Sequence, residues 1–308
     1  MSVGGEVTVV EIEHFAYGLW TPVLAYTVSC IGALVGLVMA GHVRSRRGWP
    51  RAGWLLGAAI SIGCTGIWAM HFIAMLGFQV TGMVIRYDIV LTILSGMLAV
   101  VVVGVGLTIV ALRPRGLGPL LLAGLITGLG VASMHYMGMA SMRMYGTMHH
   151  LWSYVVAAIV IAIVAATAAL WAALHLRSGW FPVLGASLLM GLAVSAMHYT
   201  GMMGMRVAET STTAGPGRVP EGAEAMDFFL PLFVGLILLT LVFALLAILT
   251  PTTPVVPVAE ERRPSAAAQS IFAPARTNGG SHSPGPRESS PSATASQNSS
   301  NASERHRG

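Results

Sequence analysis

Seven apolar stretches, each long enough to cross a lipid bilayer, restrict this chain to a membrane fold. A membrane helix needs about 20 consecutive apolar residues, so these stretches predict seven transmembrane helices. They lie at residues 17–40, 53–76, 89–112, 117–140, 151–174, 182–205 and 228–250. Only 9% of the 308 residues are charged, whereas soluble domains carry about 25%. This composition excludes a water-soluble enzyme, and we predict an all-α integral membrane protein.

The arginines predict the orientation of the helices. Every basic residue is Arg, and the absence of Lys excludes any chemistry that needs a lysine Schiff base. If the N-terminus lies outside, nine Arg residues lie next to the cytoplasmic ends of the helices and four lie in the outer loops. Cytoplasmic loops are the richer in Arg, so we expect the N-terminus outside and the C-terminus in the cytoplasm. Because the basic residues lie in loops and tail, no nucleic-acid partner is expected.

An abrupt change of composition follows the seventh apolar stretch. Pro251, Pro254 and Pro257 open a segment rich in Ser, Pro, Ala, Gly and Thr. Such a segment cannot bury enough apolar surface to fold alone. We therefore expect three regions: an extracytoplasmic N-terminus at 1–16, a seven-helix membrane domain at 17–250 and a disordered cytoplasmic tail at 251–308.

One six-residue motif occurs three times. Its pattern is Met-His-[Phe/Tyr]-x-[Ala/Gly]-Met, at residues 70–75, 134–139 and 197–202. Each copy closes an even-numbered apolar stretch, so the repeating unit is a helical hairpin, present three times and followed by a seventh helix. Even-numbered helices all run in the same direction. The three motif histidines are thus expected near the outer membrane face at similar depth, and the sequence leaves open whether they share one site.

The motif offers the ligands of a soft metal ion. Residues four apart on a helix share a face, so each copy can present one imidazole and one thioether together, as His71 and Met75 do in the first. The Met before each His points about 100° away. Imidazoles with thioethers suit copper. The near absence of acidic residues from the apolar stretches gives no support to a magnesium or calcium site.

Other chemistry-bearing residues have simpler interpretations. Cys64 lies seven residues before His71, on nearly the same face of an α-helix, but Gly128 and Gly191 stand at the matching positions of the other copies. It is interpreted as a buried structural thiol. The adjacent His149 and His150 are expected in a solvated loop.

Small residues spaced four apart predict close helix contacts. Three such pairs stand out in the apolar stretches. They are Gly32-xxx-Gly36, Gly53-xxx-Gly57 and Gly124-xxx-Gly128.

At its three motifs the sequence resembles the MHYT domain, a bacterial integral-membrane sensor module. Met197-His198-Tyr199-Thr200 matches the name of that family in full, and the other copies read Met-His-Phe-Ile and Met-His-Tyr-Met. The resemblance extends over roughly residues 14–250 and includes the seventh helix. It implies a multi-pass protein of the bacterial inner (plasma) membrane.

The resemblance also implies a function. Members of the family are proposed to bind copper near the outer face and to sense a diatomic gas (O2, CO or NO) or a redox signal. The implied ligands are Met70, His71, Met75, Met134, His135, Met139, Met197, His198 and Met202. Family members usually continue into a cytoplasmic output domain, whereas only the tail follows residue 250 here. We therefore expect a non-enzymatic sensor that signals through a separate cytoplasmic partner; the sequence indicates no oligomeric state.

Two other functions are compatible with the motifs. One is a copper or proton transporter, although polar groups near the midplane, which usually mark a transport path, are few. The other is a haem protein with His, or His and Met, as axial ligands. A hydrolytic enzyme is not expected, because the apolar region has no Ser-His-Asp set, phosphate loop or paired carboxylates.

Overall fold

The computed structural model describes residues 11–43, 48–113, 116–175, 179–209 and 219–250. The expected tail at 251–308 and most of the expected N-terminal region lie outside the described residues. The chain divides into two units, Met1–Val255 and Val256–Gly308, and every described residue lies in the first.

Within the described residues, seven helices are long and apolar enough to cross a membrane, which confirms the predicted all-α membrane fold. Each helix begins and ends within four residues of its predicted boundary. An apolar span forms a helix because a helix pairs all the backbone groups of one segment inside lipid. The seven helices are α1 (Trp20–Val43), α2 (Trp49–Leu76), α3 (Ile89–Leu112), α4 (Leu117–Ala140), α5 (Trp152–His175), α6 (Trp180–Met203) and α7 (Ala225–Leu249).

Tryptophan begins four of these helices. Trp20, Trp49, Trp152 and Trp180 are the first residues of α1, α2, α5 and α6, and all four side chains are exposed. Amphipathic aromatic rings favour the boundary between lipid and water. Their positions mark where the helices enter the bilayer.

Helices α1 to α6 form a closed ring in chain order. Each packs against the next, and α6 packs back against α1, so the three predicted hairpins stand side by side around one axis. Helix α7 lies outside this ring, against α1 and α2. Its most apolar segment is 11% buried within the protein, compared with 83% for that of α2. The even-numbered helices α2, α4 and α6 all end at the same end of the ring, which we call the motif end.

Glycines let the ring close tightly. A Cβ atom at Gly32 would lie 2.4 Å from the backbone nitrogen of Gly66, and one at Gly128 would lie 2.4 Å from the Cα atom of Ile163. These contacts bring α1 against α2 and α4 against α5, as the small-residue spacing predicts. The prediction is wrong for Gly53, which has no neighbour within 4 Å of such a Cβ atom.

Helix α2 contains a π-helical segment, Ser61–Ala69. Two hydrogen bonds join this segment to α1: Ser29 Oγ donates to the carbonyl of Gly66 at 2.6 Å, and Ser61 Oγ donates to the carbonyl of Gly32 at 2.9 Å. Backbone bonding from i to i+5 widens the turn and shifts the faces of the helix. The segment ends directly before the first motif, and its counterparts in α4 and α6 are α-helical.

Three small antiparallel sheets join the connecting segments at the motif end. Each pairs strands from segments that are distant in the chain. They are β1 (Ile12–Glu13) with β2 (Gln79–Val80), β3 (Arg86–Tyr87) with β4 (Met142–Arg143), and β5 (Gly146–His150) with β6 (Met205–Glu209).

Asp88 connects one of these segments to a helix. Its carboxylate accepts the backbone N–H of Leu91 at 3.1 Å, which caps α3, and pairs with the Arg143 guanidinium at 2.7 Å. The hydrogen bond from Arg143, followed by the one from Leu91, lowers the pKa of Asp88 below its usual value. The side chain therefore joins the start of α3 to the strand that follows α4.

Replacing Gly32 by alanine should destabilise the ring. The added methyl group meets backbone rather than a flexible side chain, so overpacking should cost about 1–3 kcal/mol. Gly41→Ala on the same helix is the matched control, since a Cβ atom there meets nothing within 4 Å. Unfolding in a denaturing detergent measures both variants. Equal stabilities would contradict the close approach of α1 to the π-helical segment.

The contribution of Asp88 should depend on pH. Its folded pKa is depressed, so its stabilisation is fully present above the unfolded pKa of about 3.9 and is lost as the pH falls through the folded value. Asp88→Asn should lower the thermal unfolding midpoint at pH 7, and its difference from the parent protein should shrink below about pH 4. The exposed Glu221 provides a control, Glu221→Gln, which should leave the midpoint unchanged at pH 7. A difference that persists unchanged at low pH would exclude this role for the carboxylate.

Candidate metal centre

Three buried histidines meet on the ring axis. His71, His135 and His198 come from α2, α4 and α6, and each is at most 1% exposed. Their ring centroids are 4.9, 5.0 and 5.1 Å apart, with every pair of ring planes between 78° and 86°. The three motif copies thus place their imidazoles at one site in nearly three-fold arrangement, which answers the question that the sequence left open.

The imidazoles face each other through their Nδ1 atoms. His71 Nδ1 lies 3.0 Å from His198 Nδ1 and 3.1 Å from His135 Nδ1. One ligand atom from each residue lies within 4.8 Å of the other two. Imidazole nitrogens that share a metal ion at about 2.0–2.1 Å are roughly 3–3.5 Å apart. The three histidines could therefore hold a metal ion, and in the described part of the chain no other group of three or more His, Cys, Asp or Glu side chains could do so.

The outward nitrogens explain the Ala/Gly position of the motif. A Cβ atom at Gly138 would lie 2.4 Å from His71 Nε2, and one at Gly201 would lie 2.5 Å from His135 Nε2. The histidine of one copy therefore packs against the motif glycine of the next copy, while the first copy has Ala74 at this position. Both Nε2 atoms are buried, and no hydrogen-bond partner for them lies among the described residues.

The six motif methionines are all buried, with at most 2% of each exposed. Helical geometry places the three that follow a histidine by four residues on the same face as that histidine. They are Met75, Met139 and Met202. The other three methionines point about 100° around the helix axis from the histidine that follows each of them. They are Met70, Met134 and Met197. The structure brings the histidines together and buries the methionines in the surrounding core.

His150 is placed differently from the sequence expectation. It lies on strand β5, where neighbouring side chains point to opposite faces, so His149 is exposed and His150 is half-buried. The His150 ring packs edge-on against Tyr136, with centroids 5.5 Å apart. Burial, and secondarily the nearby His149, lowers the pKa of His150. The expectation of a solvated loop is therefore wrong for His150, because the sequence alone did not reveal the strand.

Cys64 lies away from the histidines. It lines an apolar crevice between α2, α3 and α7, together with Trp68 and Leu232. In an α-helix, which rotates 100° per residue, Cys64 would lie on nearly the same face as His71. The π-helical segment rotates less per residue, so this relation fails between these two positions.

Two segments of the chain, residues 65–124 and 128–186, match the family profile named MHYT and described as a bacterial signalling protein N-terminal repeat. The chain contains two MHYT repeats. Each matched segment starts in a motif helix and continues through the following helix. The third MHYT motif, at His198, comes after the second match.

The relatives of this MHYT region are longer proteins, and only a part of each aligns with this chain. It is 37% identical over 195 residues to the bifunctional diguanylate cyclase/cyclic di-GMP phosphodiesterase MucR, and 39% identical over 197 residues to the cyclic di-GMP phosphodiesterase NbdA, both of Pseudomonas aeruginosa. Each alignment covers 62% of this chain but 28% and 25% of the relative. An uncharacterized signaling protein of Caulobacter vibrioides is 31% identical over 201 residues, which are 65% of this chain and 24% of that protein.

The chain spans about a quarter of the length of the curated relatives it matches. The aligned part is the MHYT region, whose profile is described as an N-terminal repeat of bacterial signalling proteins. No solved structure matches the chain. The protein is therefore a multi-pass membrane protein that carries the sensory repeats of a signalling family.

Alanine at the two motif glycines should displace the imidazoles. Gly138→Ala and Gly201→Ala each insert a methyl group into the space of a ring nitrogen, and the rings are held on all sides by the core. Overpacking of this kind costs about 1–3 kcal/mol. We expect a lower unfolding midpoint and shifted imidazole ¹⁵N resonances in both variants.

Matched controls for these variants lie on the same two helices. Gly118→Ala on α4 and Gly185→Ala on α6 meet nothing within 4 Å. They should leave the imidazole resonances unchanged and should not lower the midpoint. If all four variants behaved alike, the packing of each histidine against the next motif would be refuted.

Proposed function

We propose that this MHYT domain is a copper-binding membrane sensor of a diatomic gas (O2, CO or NO) or of a redox signal. The single observation that carries the proposal is the trio of buried imidazoles, with Nδ1 atoms 3.0 and 3.1 Å apart. The proposed ligand set keeps all nine motif residues. They are His71, His135 and His198 with Met70, Met75, Met134, Met139, Met197 and Met202.

The ligand chemistry favours a soft ion of low charge. The metal-binding group in the described part of the chain contains three imidazoles and no carboxylate or thiolate. A buried divalent ion without an anionic ligand is costly, because its charge is not compensated. Cu(I) carries a single charge and accepts imidazole and thioether ligands. Bound copper would supply a redox couple and a coordination position for a diatomic ligand.

The geometry counts against haem. Two axial nitrogens on opposite faces of an iron atom, each at about 2.0 Å, are separated by about 4 Å. His71 Nδ1 lies 3.0 Å from His198 Nδ1, which leaves no space for a porphyrin plane between them.

The surroundings also count against a transport path. One turn before each histidine, away from the motif end, the residues are Ile67, Val131 and Val194. A path for copper ions or protons needs polar groups along its length. The apolar turn beneath the histidines instead supports a site that retains its ion.

The histidines can couple the site to the helices that carry them. Each belongs to a different hairpin, so a change in the separation of their Nδ1 atoms requires α2, α4 and α6 to move relative to one another. A ligand that favours one arrangement of these helices increases its population. The tail or the inner loops would then report the change to a cytoplasmic partner. The names of the relatives favour a partner in cyclic di-GMP signalling.

The proposed placement in the membrane follows the arginines. The motif end would face outward from the bacterial inner membrane, with the N-terminal region 1–16 on the same side. The membrane domain would extend over 17–250, and the tail at 251–308 would lie in the cytoplasm.

Metal analysis of the purified protein tests the proposal. We expect one or two copper ions per chain in the parent protein, and none when His71→Ala, His135→Ala and His198→Ala are combined. His149→Ala is the control, because that side chain is exposed, and it should retain the copper. Undiminished copper in a folded triple variant would refute the site, and iron with a Soret absorption band would identify haem instead.

A further inference from the structure

An apolar cavity lies inside the ring. The centre of a water-sized sphere can reach about 40 Å³ of it. Every one of the six ring helices contributes to its lining. Representative residues, one from each helix in order, are Leu37, Ile67, Val103, Val131, Leu170 and Val194.

The cavity lies directly beneath the histidine cluster. Three of its lining residues, Ile67, Val131 and Val194, precede His71, His135 and His198 by four positions. Residues four apart share a helix face, and one helical turn rises 5.4 Å. This relation holds for Val131 and Val194, which lie in α-helical turns, and Ile67 of the π-helical segment lines the same cavity. The cavity therefore continues along the ring axis about one turn from the imidazoles. Met197, the residue before His198, also lines it.

The lining makes the cavity unfavourable for water. Apart from Thr127, the side chains that line it are all apolar, and the Thr127 hydroxyl donates to the carbonyl of Val102 at 3.3 Å. A buried water molecule needs two to four polar partners, whereas apolar cavities stay dry and bind xenon or small hydrocarbons. A space of about 40 Å³ that the centre of a water-sized sphere can reach is more than one water molecule needs but is still small. It therefore suits one molecule of two or three atoms.

We infer that this cavity is a binding site for one small apolar gas molecule. The occupant would lie within about one helical turn of the histidine nitrogens. Because the cavity is within the membrane span, an apolar gas can enter it without leaving an apolar medium. The connection to sensing rests on the proposed function, whereas occupancy of the cavity depends only on its shape and lining.

Xenon, which is inert and similar in size, is the probe. Saturable binding to the metal-free protein is measured by ¹²⁹Xe NMR in detergent. Ala166→Leu fills the cavity from α5 and should weaken saturable xenon binding at least tenfold. Ala168→Leu adds the same atoms to the exposed face of α5 and should leave binding unchanged. Absence of saturable binding in the parent protein, or equal binding in both variants, would overturn the inference.

If Ala166→Leu fails to fold, a variant that enlarges the cavity tests the same inference, and it should increase xenon binding instead of weakening it. Val131→Ala removes two methyl groups from the lining and should increase the number of xenon atoms bound at saturation. An unchanged number would overturn the inference.

Copper content measured on separate portions of the same preparations distinguishes the two proposals. Xenon binding without copper would leave the cavity site standing and reject the copper sensor. Copper without xenon binding would reject the cavity site alone.

Discussion

Three imidazoles packed inside an apolar ring set the condition on which the rest of the structure depends. Burying a polar group costs free energy unless the group has a hydrogen-bond partner. The three imidazoles can contact one another only if three helices from separate hairpins approach the same axis. Gly138 and Gly201 leave the space that two of the rings occupy. The close approach of Gly32 to Gly66 brings α1 against α2 in the first hairpin. The small residues and the histidines therefore pack as one unit, so a substitution at a glycine also affects the position of an imidazole.

The connecting segments and the seventh helix make the three copies unequal. Short sheets join the N-terminal segment and the loops at the motif end, and Asp88 links the start of α3 to the strand after α4. Helix α7 contacts the first hairpin, where Phe229 packs against Phe72 with ring centroids 4.8 Å apart. Phe72 in turn packs edge-on against the ring of His71. Only the first copy therefore has a direct aromatic path, among the described residues, from its histidine to the helix outside the ring.

The two MHYT repeats give this geometry its context. The two Pseudomonas aeruginosa relatives are named as enzymes of cyclic di-GMP metabolism, and this chain aligns with about a quarter of the length of each. A ring that holds potential metal ligands at one end and an apolar cavity below them suits a sensory role. The three histidines and the six motif methionines are all buried.

The sequence by itself determined the seven spans, the three hairpins and the common level of the motif histidines. These features follow from hydrophobicity and helix direction, which are local properties of each segment in lipid. Only the tertiary structure decided that His71, His135 and His198 meet through Nδ1, that Cys64 turns away from them and that α7 stays outside the ring. The reason is physical: these outcomes depend on contacts between residues more than 60 positions apart and on a π-helical segment stabilised by α1, and neither has a periodic signature in the chain.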